Sequence, residues 1–339
     1  MIKCILCKSN EADKKGSHIV PHFLLKRVEN IDNKKGRDYE LGYSIGEFNT
    51  ESYFGRAVST EKLESTYGDL TDEEIENNRH PLVVDNVFCT SCEKKLSVIE
   101  SEYAKTLNKK NTQIYSSEIK VEISFLFWMS IIWRMSINKK SGTELTSGEN
   151  EILRRILNRY LAESLESINI AEMKLAEDLK KISYKILRSP DYSDKNFTFL
   201  LLHPEYRKPY CLLLDEYLIL FSFKDNYYQY NTKGFFGFNE NISKIPNNKI
   251  GNENEEIYYM KDEYLLNINN SIIDKLKEIR VSKIKLFLNK LHKSLGFKGT
   301  MNPEIMQNIF SEITSEKKKL GRKYTIEDLK KSTYEILKK

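Results

Sequence analysis

The sequence predicts an α+β protein: an N-terminal zinc finger followed by a larger, helix-rich α+β region. Three observations carry this. Four of the five cysteines form two C-x-x-C pairs, Cys4/Cys7 and Cys89/Cys92, the spacing with which a chain builds a closed tetrahedral zinc site. Across 118–189, and again from 270 onwards, apolar residues recur with a helical period. Between these stretches, 197–202 and 209–223 are apolar runs rich in aromatics and bounded by Pro, Asp and Asn. They read as buried strands.

In chain order, residues 1–110 form the zinc-finger region. About 80 residues separate the two knuckles, far more than the roughly 12–20 of a minimal zinc ribbon. That span must hold secondary structure or a substrate-facing loop. Residues 83–88 read as a short strand entering the second knuckle, and 92–107 as a helix. Glu93, Ser97 and Glu100 share one face of that helix.

Residues 111–190 read as a helical segment, with 119–137 a mostly buried helix. Thr146 with Glu149 offers a capped start to the stripe Ile152, Leu153, Ile156, Leu157 and Leu161. A further helix is expected over 170–187, stopping before Ser189-Pro190. Residues 191–339 read as an α+β sensing or oligomerisation region. Within it, 226–254 is loop plus short strand, and 270–339 is helical with breaks near 296–299 and 321–322. Tyr227, Tyr228, Tyr230, Phe235, Phe236 and Phe238, with Lys224 and Lys233, form an aromatic cluster. It reads as core plus loop or as a protein-binding surface, with base stacking as the sharper alternative.

With 339 residues, 40% hydrophobic and 30% charged, the chain is folded rather than disordered. A net charge of +5 permits nucleic-acid contact without establishing it. Thiols used as metal ligands suit a reducing compartment, and Cys211, inside the run Tyr210–Leu214, reads as a small core residue. The chain opens directly into the first knuckle, so no signal peptide is expected. The strongest apolar run, 123–132, is shorter than the about 20 residues that span a bilayer. A cytoplasmic protein with no membrane partner is expected.

The knuckles have chemistry-bearing neighbours. Ser17-His18-Ile19-Val20-Pro21-His22 follows the first; Glu93, then Leu96, Ser97 and Glu100, follows the second. Together these motifs resemble the treble-clef, HNH-type (ββα-metal) zinc-finger nucleases, and more narrowly the branch with an SHIxP motif and a C-x-x-C-E knuckle. The resemblance covers about the first 105 residues, with a weaker echo at Ile132-Trp133-Arg134. It implies a treble-clef finger clamped by structural Zn2+ on Cys4, Cys7, Cys89 and Cys92. His18 would be the general base, activating a water or hydroxyl to attack the phosphorus of a phosphodiester. Glu93 and Glu100 on the following helix are the candidates to hold a catalytic Mg2+ or Mn2+. Asn86 matches the position of the Asn that orients the base.

Ser17 departs from the pattern, because many members carry an Asp or His ligand there, and serine is a poor ligand for a hard cation. Either Glu93 and Glu100 bind the cation with His22 completing the shell, or no second metal is used. The second route favours RNA, whose 2′-hydroxyl is an internal nucleophile. Bland readings stand beside these: Glu93 as a helix-start carboxylate favoured by the dipole, Glu100 as a solvent-facing Glu, Asn86 as a turn residue, His22 as a pocket residue. By architecture the chain resembles the toxic zinc-finger ribonucleases of bacterial antiphage defence. That implies a nucleic-acid substrate and a phage or protein activator; the C-terminal region would recognise a partner, bind the target or assemble the protein into a homo-oligomer. The alternative is a non-catalytic zinc-dependent module that binds nucleic acid or protein.

Overall fold

The computed structural model describes residues 2–25, 37–45, 50–68, 70, 72–76, 78–107, 112–138, 145–190, 192, 200–207, 209–224, 245–309, 311 and 326–338. The aromatic cluster at Tyr227, Tyr228, Tyr230, Phe235, Phe236 and Phe238 lies outside them, as does the break near 321–322. The fold is α+β, and its contacts divide it into two compact units. The first joins Met1–Lys35 to His80–Asn269; the second joins Gly36–Arg79 to Asn270–Lys339.

The finger opens with β1 (Ser17–His18) and α1 (His22–Leu25). The inter-knuckle span supplies β2 (Leu41–Ile45), β3 (Thr50–Phe54), α2 (Thr60–Tyr67) and α3 (Asp72–Glu76). The chain re-enters the finger at β4 (Val83–Val84) and α4 (Thr90–Tyr103). Then come β5 (Ile114–Lys120), α5 (Val121–Ile137), α6 (Ser147–Tyr160) and α7 (Ile170–Leu175). Five strands follow: β6 (Ser183–Arg188), β7 (Leu200–Arg207), β8 (Tyr210–Leu214), β9 (Tyr217–Ser222) and β10 (Asn248–Lys249). The chain closes with β11 (Asn254–Tyr259), α8 (Asp262–Ser294) and α9 (Ile326–Lys338).

In the first unit, β5, β11, β6, β9, β8 and β7 lie side by side, with β10 also pairing to β6. The β11–β6 pair is parallel and its neighbours antiparallel. The β8–β9 hairpin turns at Asp215, which adopts a left-handed φ of 48°, a conformation Asp tolerates better than most residues. Every residue of β8 and β9 is buried, Cys211 among them.

Helix α5 runs through the middle. Its residues from Val121 to Ser136 are all buried, as expected of a helix that is apolar on all sides. Among the described residues, no helix is long and apolar enough to cross a membrane. One continuous core runs from Cys4, Cys89 and Cys92, through Leu96, Ile99 and Tyr103 of α4, into Trp128 and Trp133 of α5. It reaches Tyr184 and Tyr217 in the sheet. Helix α6 starts as the sequence predicts, with Thr146 and Glu149 forming a reciprocal capping box.

Two expectations are corrected. Residues 118–189 are not all helical. The expected buried helix over 119–137 forms from Val121 to Ile137, but Ile114–Lys120 before it is a strand paired with β11. The expected helix over 170–187 ends at Leu175, and Ser183–Arg188 forms β6 instead. All six residues of β6 are buried between β9 and β11. Burial on both faces erases the two-residue alternation that marks a strand in sequence, so tertiary pairing overrode a helix-like local composition.

In the second unit, β2 and β3 form an antiparallel hairpin. The Tyr67 hydroxyl accepts the Gly42 N–H and lies 2.8 Å from the Tyr53 carbonyl. A Cβ on Gly42 would collide with the Tyr53 ring, so glycine permits this close approach. A separate small core gathers Leu288, Met301, Met306, Ile309 and Leu329.

Candidate metal centre and catalytic strand

The four-cysteine centre is assembled by local backbone bonds. The first knuckle turns at Lys8, which has φ 59° and donates its N–H to the Cys4 carbonyl at 2.8 Å. It then bonds across to the second: Ile5 N–H reaches the Val87 carbonyl at 3.0 Å, and Lys14 N–H the Phe88 carbonyl at 3.0 Å. Cys89 caps α4, its sulfur accepting the Cys92 N–H at 3.5 Å. Asp13 accepts the Thr90 N–H at 2.8 Å. That bond holds the Asp13 carboxyl below its ordinary range.

The four Sγ atoms lie within 4.8 Å of one another, and Cys7 Sγ is 4.0 Å from Cys89 Sγ. A tetrahedron of Zn–S bonds near 2.3 Å needs sulfurs about 3.8 Å apart, so this donor set fits zinc. Burial opposes ionisation of Cys7, but hydrogen bonds from the Ser9 side chain and the Asn10 and Ser9 backbone outweigh it and lower the thiol to about 6. Burial pushes Cys4 and Cys92 upward. Four thiolates in so small a volume need a cation to compensate them.

Strand β1 brings Ser17 and His18 beside β4, with Ser17 opposite Val84 and His18 opposite Val83. His18 and His22 are each partly exposed, their rings 6.4 Å apart and nearly perpendicular. Ser17 is buried, and its Oγ has no hydrogen-bond partner among the described residues. Asn86 is exposed with φ 56°, its N–H bonded to the Lys14 carbonyl at 2.8 Å. That geometry suits a turn residue.

Glu93 sits in the first turn of α4, with a buried Oε1 that no described residue hydrogen-bonds. Glu100, two turns further on, is engaged: Arg134 of α5 donates Nη2 to its Oε1 at 2.7 Å. The same guanidinium donates Nη1 to the His18 carbonyl at 2.8 Å and Nε to the Ser130 carbonyl at 3.2 Å. Arg134 is 1% exposed. In the sequence it closes the faint Ile132-Trp133-Arg134 echo; Glu100 and His18 lie 34 and 116 positions away, and no local pattern announces those two contacts.

Helix α6 secures the first knuckle. Arg154 donates to the Leu6 carbonyl at 2.7 Å while holding Glu151 through two further nitrogens. Lys8 also pairs with Glu151 at 3.0 Å. Hydrogen bonds from Arg154 first, then from Lys8, draw the Glu151 carboxyl down to about 2.

No family model, curated protein or solved structure matches the chain. The four clustered cysteines, positioned to bind a metal ion, therefore stand on their own geometry.

Proposed function

We propose that the chain is a zinc-finger endonuclease of the HNH type that cleaves nucleic-acid phosphodiesters, RNA in preference to DNA, with His18 as general base. One observation carries this reading: the strand bearing His18 and the helix bearing Glu93 are both anchored on the four-cysteine knot. Zinc held by Cys4, Cys7, Cys89 and Cys92 would clamp the finger. With four protein ligands it has no open position for chemistry.

The engagement of Glu100 weighs between the two routes. While Arg134 holds it, Glu93 and Glu100 do not form a pair of free carboxylates. Glu93 alone, with Ser17 buried, is a thin donor set for Mg2+, which takes six ligands, chiefly oxygen. We therefore derive no step through a second metal. In the metal-free route, His18 takes the proton of a 2′-hydroxyl. That oxygen attacks the adjacent phosphorus, forming a 2′,3′-cyclic phosphate as the P–O5′ bond breaks and the leaving 5′-oxygen takes a proton from solvent water. Glu93 assists from the start of α4. By the architecture the sequence resembles, the protein acts in the cytoplasm as a toxic effector of antiphage defence, switched on by a phage or partner protein, with homo-oligomer formation as a further level.

The test uses zinc-loaded protein incubated with RNA and with DNA, with and without Mg2+ or Mn2+, beside His18→Ala. RNA cleavage with cyclic-phosphate ends, lost in His18→Ala and surviving brief EDTA, is expected. A wild type that cuts neither substrate and is no more toxic in cells than His18→Ala would overturn the nuclease and leave a zinc-dependent binding module.

A further inference from the structure

We propose that Arg134, on α5 and outside the finger, is the positioning residue that sets the direction of the His18 side chain. The inference rests on the reading of His18 as general base. The β1–β4 ladder is two residues long. Ile19 N–H to the Leu82 carbonyl at 2.8 Å extends it on one side; Gly16 N–H to Asp85 Oδ1 at 2.7 Å and Asn86 N–H to the Lys14 carbonyl at 2.8 Å extend it on the other. None of these bonds reaches α4 or α5.

Arg134 makes that link. Its planar fork bonds the His18 carbonyl with one nitrogen and Glu100 of α4 with another. It thereby ties the base-bearing strand to the helix that follows the second knuckle. Ser130 holds the guanidinium itself, its carbonyl accepting Nε at 3.2 Å and its hydroxyl Nη2 at 3.1 Å. Bonding the carbonyl of His18 fixes that peptide plane, and with it the Cα–Cβ direction from which the imidazole projects.

A second tie comes from the same helix face. Asn138, four residues on, donates Nδ2 to the Pro81 carbonyl at 3.0 Å, just ahead of β4. Helix α5 therefore grips both strands of the ladder. Phe127 stacking on Phe23 and Trp133 tilted against Phe88 pack the same helix against the finger. A lysine at 134 keeps the charge but presents a single ammonium in place of the fork, so it cannot span both acceptors in the same geometry.

The test compares full-length, zinc-loaded wild type with Arg134→Lys and Glu100→Gln. Readouts are zinc content, melting temperature, histidine NMR signals (His18 assigned with His18→Ala) and RNA cleavage kinetics. Arg134→Lys is expected to keep its zinc, to shift the His18 signals while leaving those of His292 in place, and to lower kcat about 100-fold with KM within about threefold. A displacement near 1 Å costs about that much. Glu100→Gln, which leaves the bond to the His18 carbonyl, is expected to move the same signals less and to lower kcat about tenfold. His18 signals and kcat at wild-type values in zinc-retaining variants would overturn the proposal. If Arg134→Lys loses its zinc, Glu100→Gln decides alone. If wild type cleaves no RNA, the nuclease reading falls, and the His18 signals still decide the positioning role.

Discussion

Helix α5 carries a buried ionic centre on one side and touches another half a helix away, and the two are solved differently. At Arg134 the buried charge has a charged partner, Glu100, and carbonyl acceptors. At Glu255, on β11 and fully buried, the donors are neutral. Trp128 Nε1 and the Tyr184 hydroxyl each reach Oε1 at 3.1 Å, and the Tyr103 hydroxyl reaches Oε2 at 2.9 Å. Burial dominates there and lifts the Glu255 carboxyl to about 7, although those donors pull it down. The comparison teaches where pH enters this fold. The Arg134 centre compensates its charge, whereas the Glu255 centre binds a proton more tightly folded than unfolded.

Zinc removal should separate the two centres most strongly. A structural four-thiolate zinc contributes on the order of 10 kcal/mol or more of binding free energy. Cys92→Ala, or prolonged chelation, should release the metal and expose the amides of 2–25 and α4 to hydrogen exchange. The β6, β8 and β9 amides around the Glu255 centre should stay better protected. Equal loss of protection throughout would show that the centres are one cooperative unit.

Arg134→Ala comes next. It strands Glu100 and the His18 carbonyl; losing one partner of a buried ion pair costs about 3–5 kcal/mol, and because Glu100 is partly exposed the loss here should be about 2–3 kcal/mol. Denaturant unfolding checks this; a loss below about 1 kcal/mol would mean water replaces the guanidinium freely.

Glu255→Gln tests the other side. Because the folded carboxyl sits near 7 against an ordinary value of 4.5, stability is greatest below about 4.5 and falls as pH rises to about 7, then levels. The loss amounts to about 3 kcal/mol. Tyr103, Tyr184 and Tyr217, all raised well above 10 by burial, stay neutral across that window. The variant's stability should therefore be flatter with pH than wild type between pH 4.5 and 7. Parallel pH profiles of the two proteins would contradict the assignment.

Tyr103→Phe is the mildest. It removes one donor to Glu255 and the oxygen 3.0 Å from Trp128 Nε1, at about 1–2 kcal/mol. It should also raise the Glu255 carboxyl further, steepening the pH dependence that Glu255→Gln abolishes.

How much of this was legible beforehand depends on the range of the interactions. The C-x-x-C pairs and the Thr146/Glu149 cap are local chemistry, and the structure forms both. Helix α5 was legible as a buried run, but not the strand before it. Strand β6 read as helix because its identity depends on β9 and β11. Glu255 carried no signal and Arg134 only the faint echo at Ile132-Trp133-Arg134, since their partners are distant in sequence.

The sequence alone determined that four thiols would be set in two knuckles, that His18 and Glu93 would adjoin them, and that helices would dominate an α+β chain. Spacing and periodicity are properties of a few neighbouring residues and survive any tertiary arrangement. Only the tertiary structure decided that α5 would pass between finger and sheet, giving Glu100 to a guanidinium and leaving Glu255 to neutral donors. Buried charges are stabilised by whatever the fold brings within about 3 Å, and over a hundred residues that is set by packing.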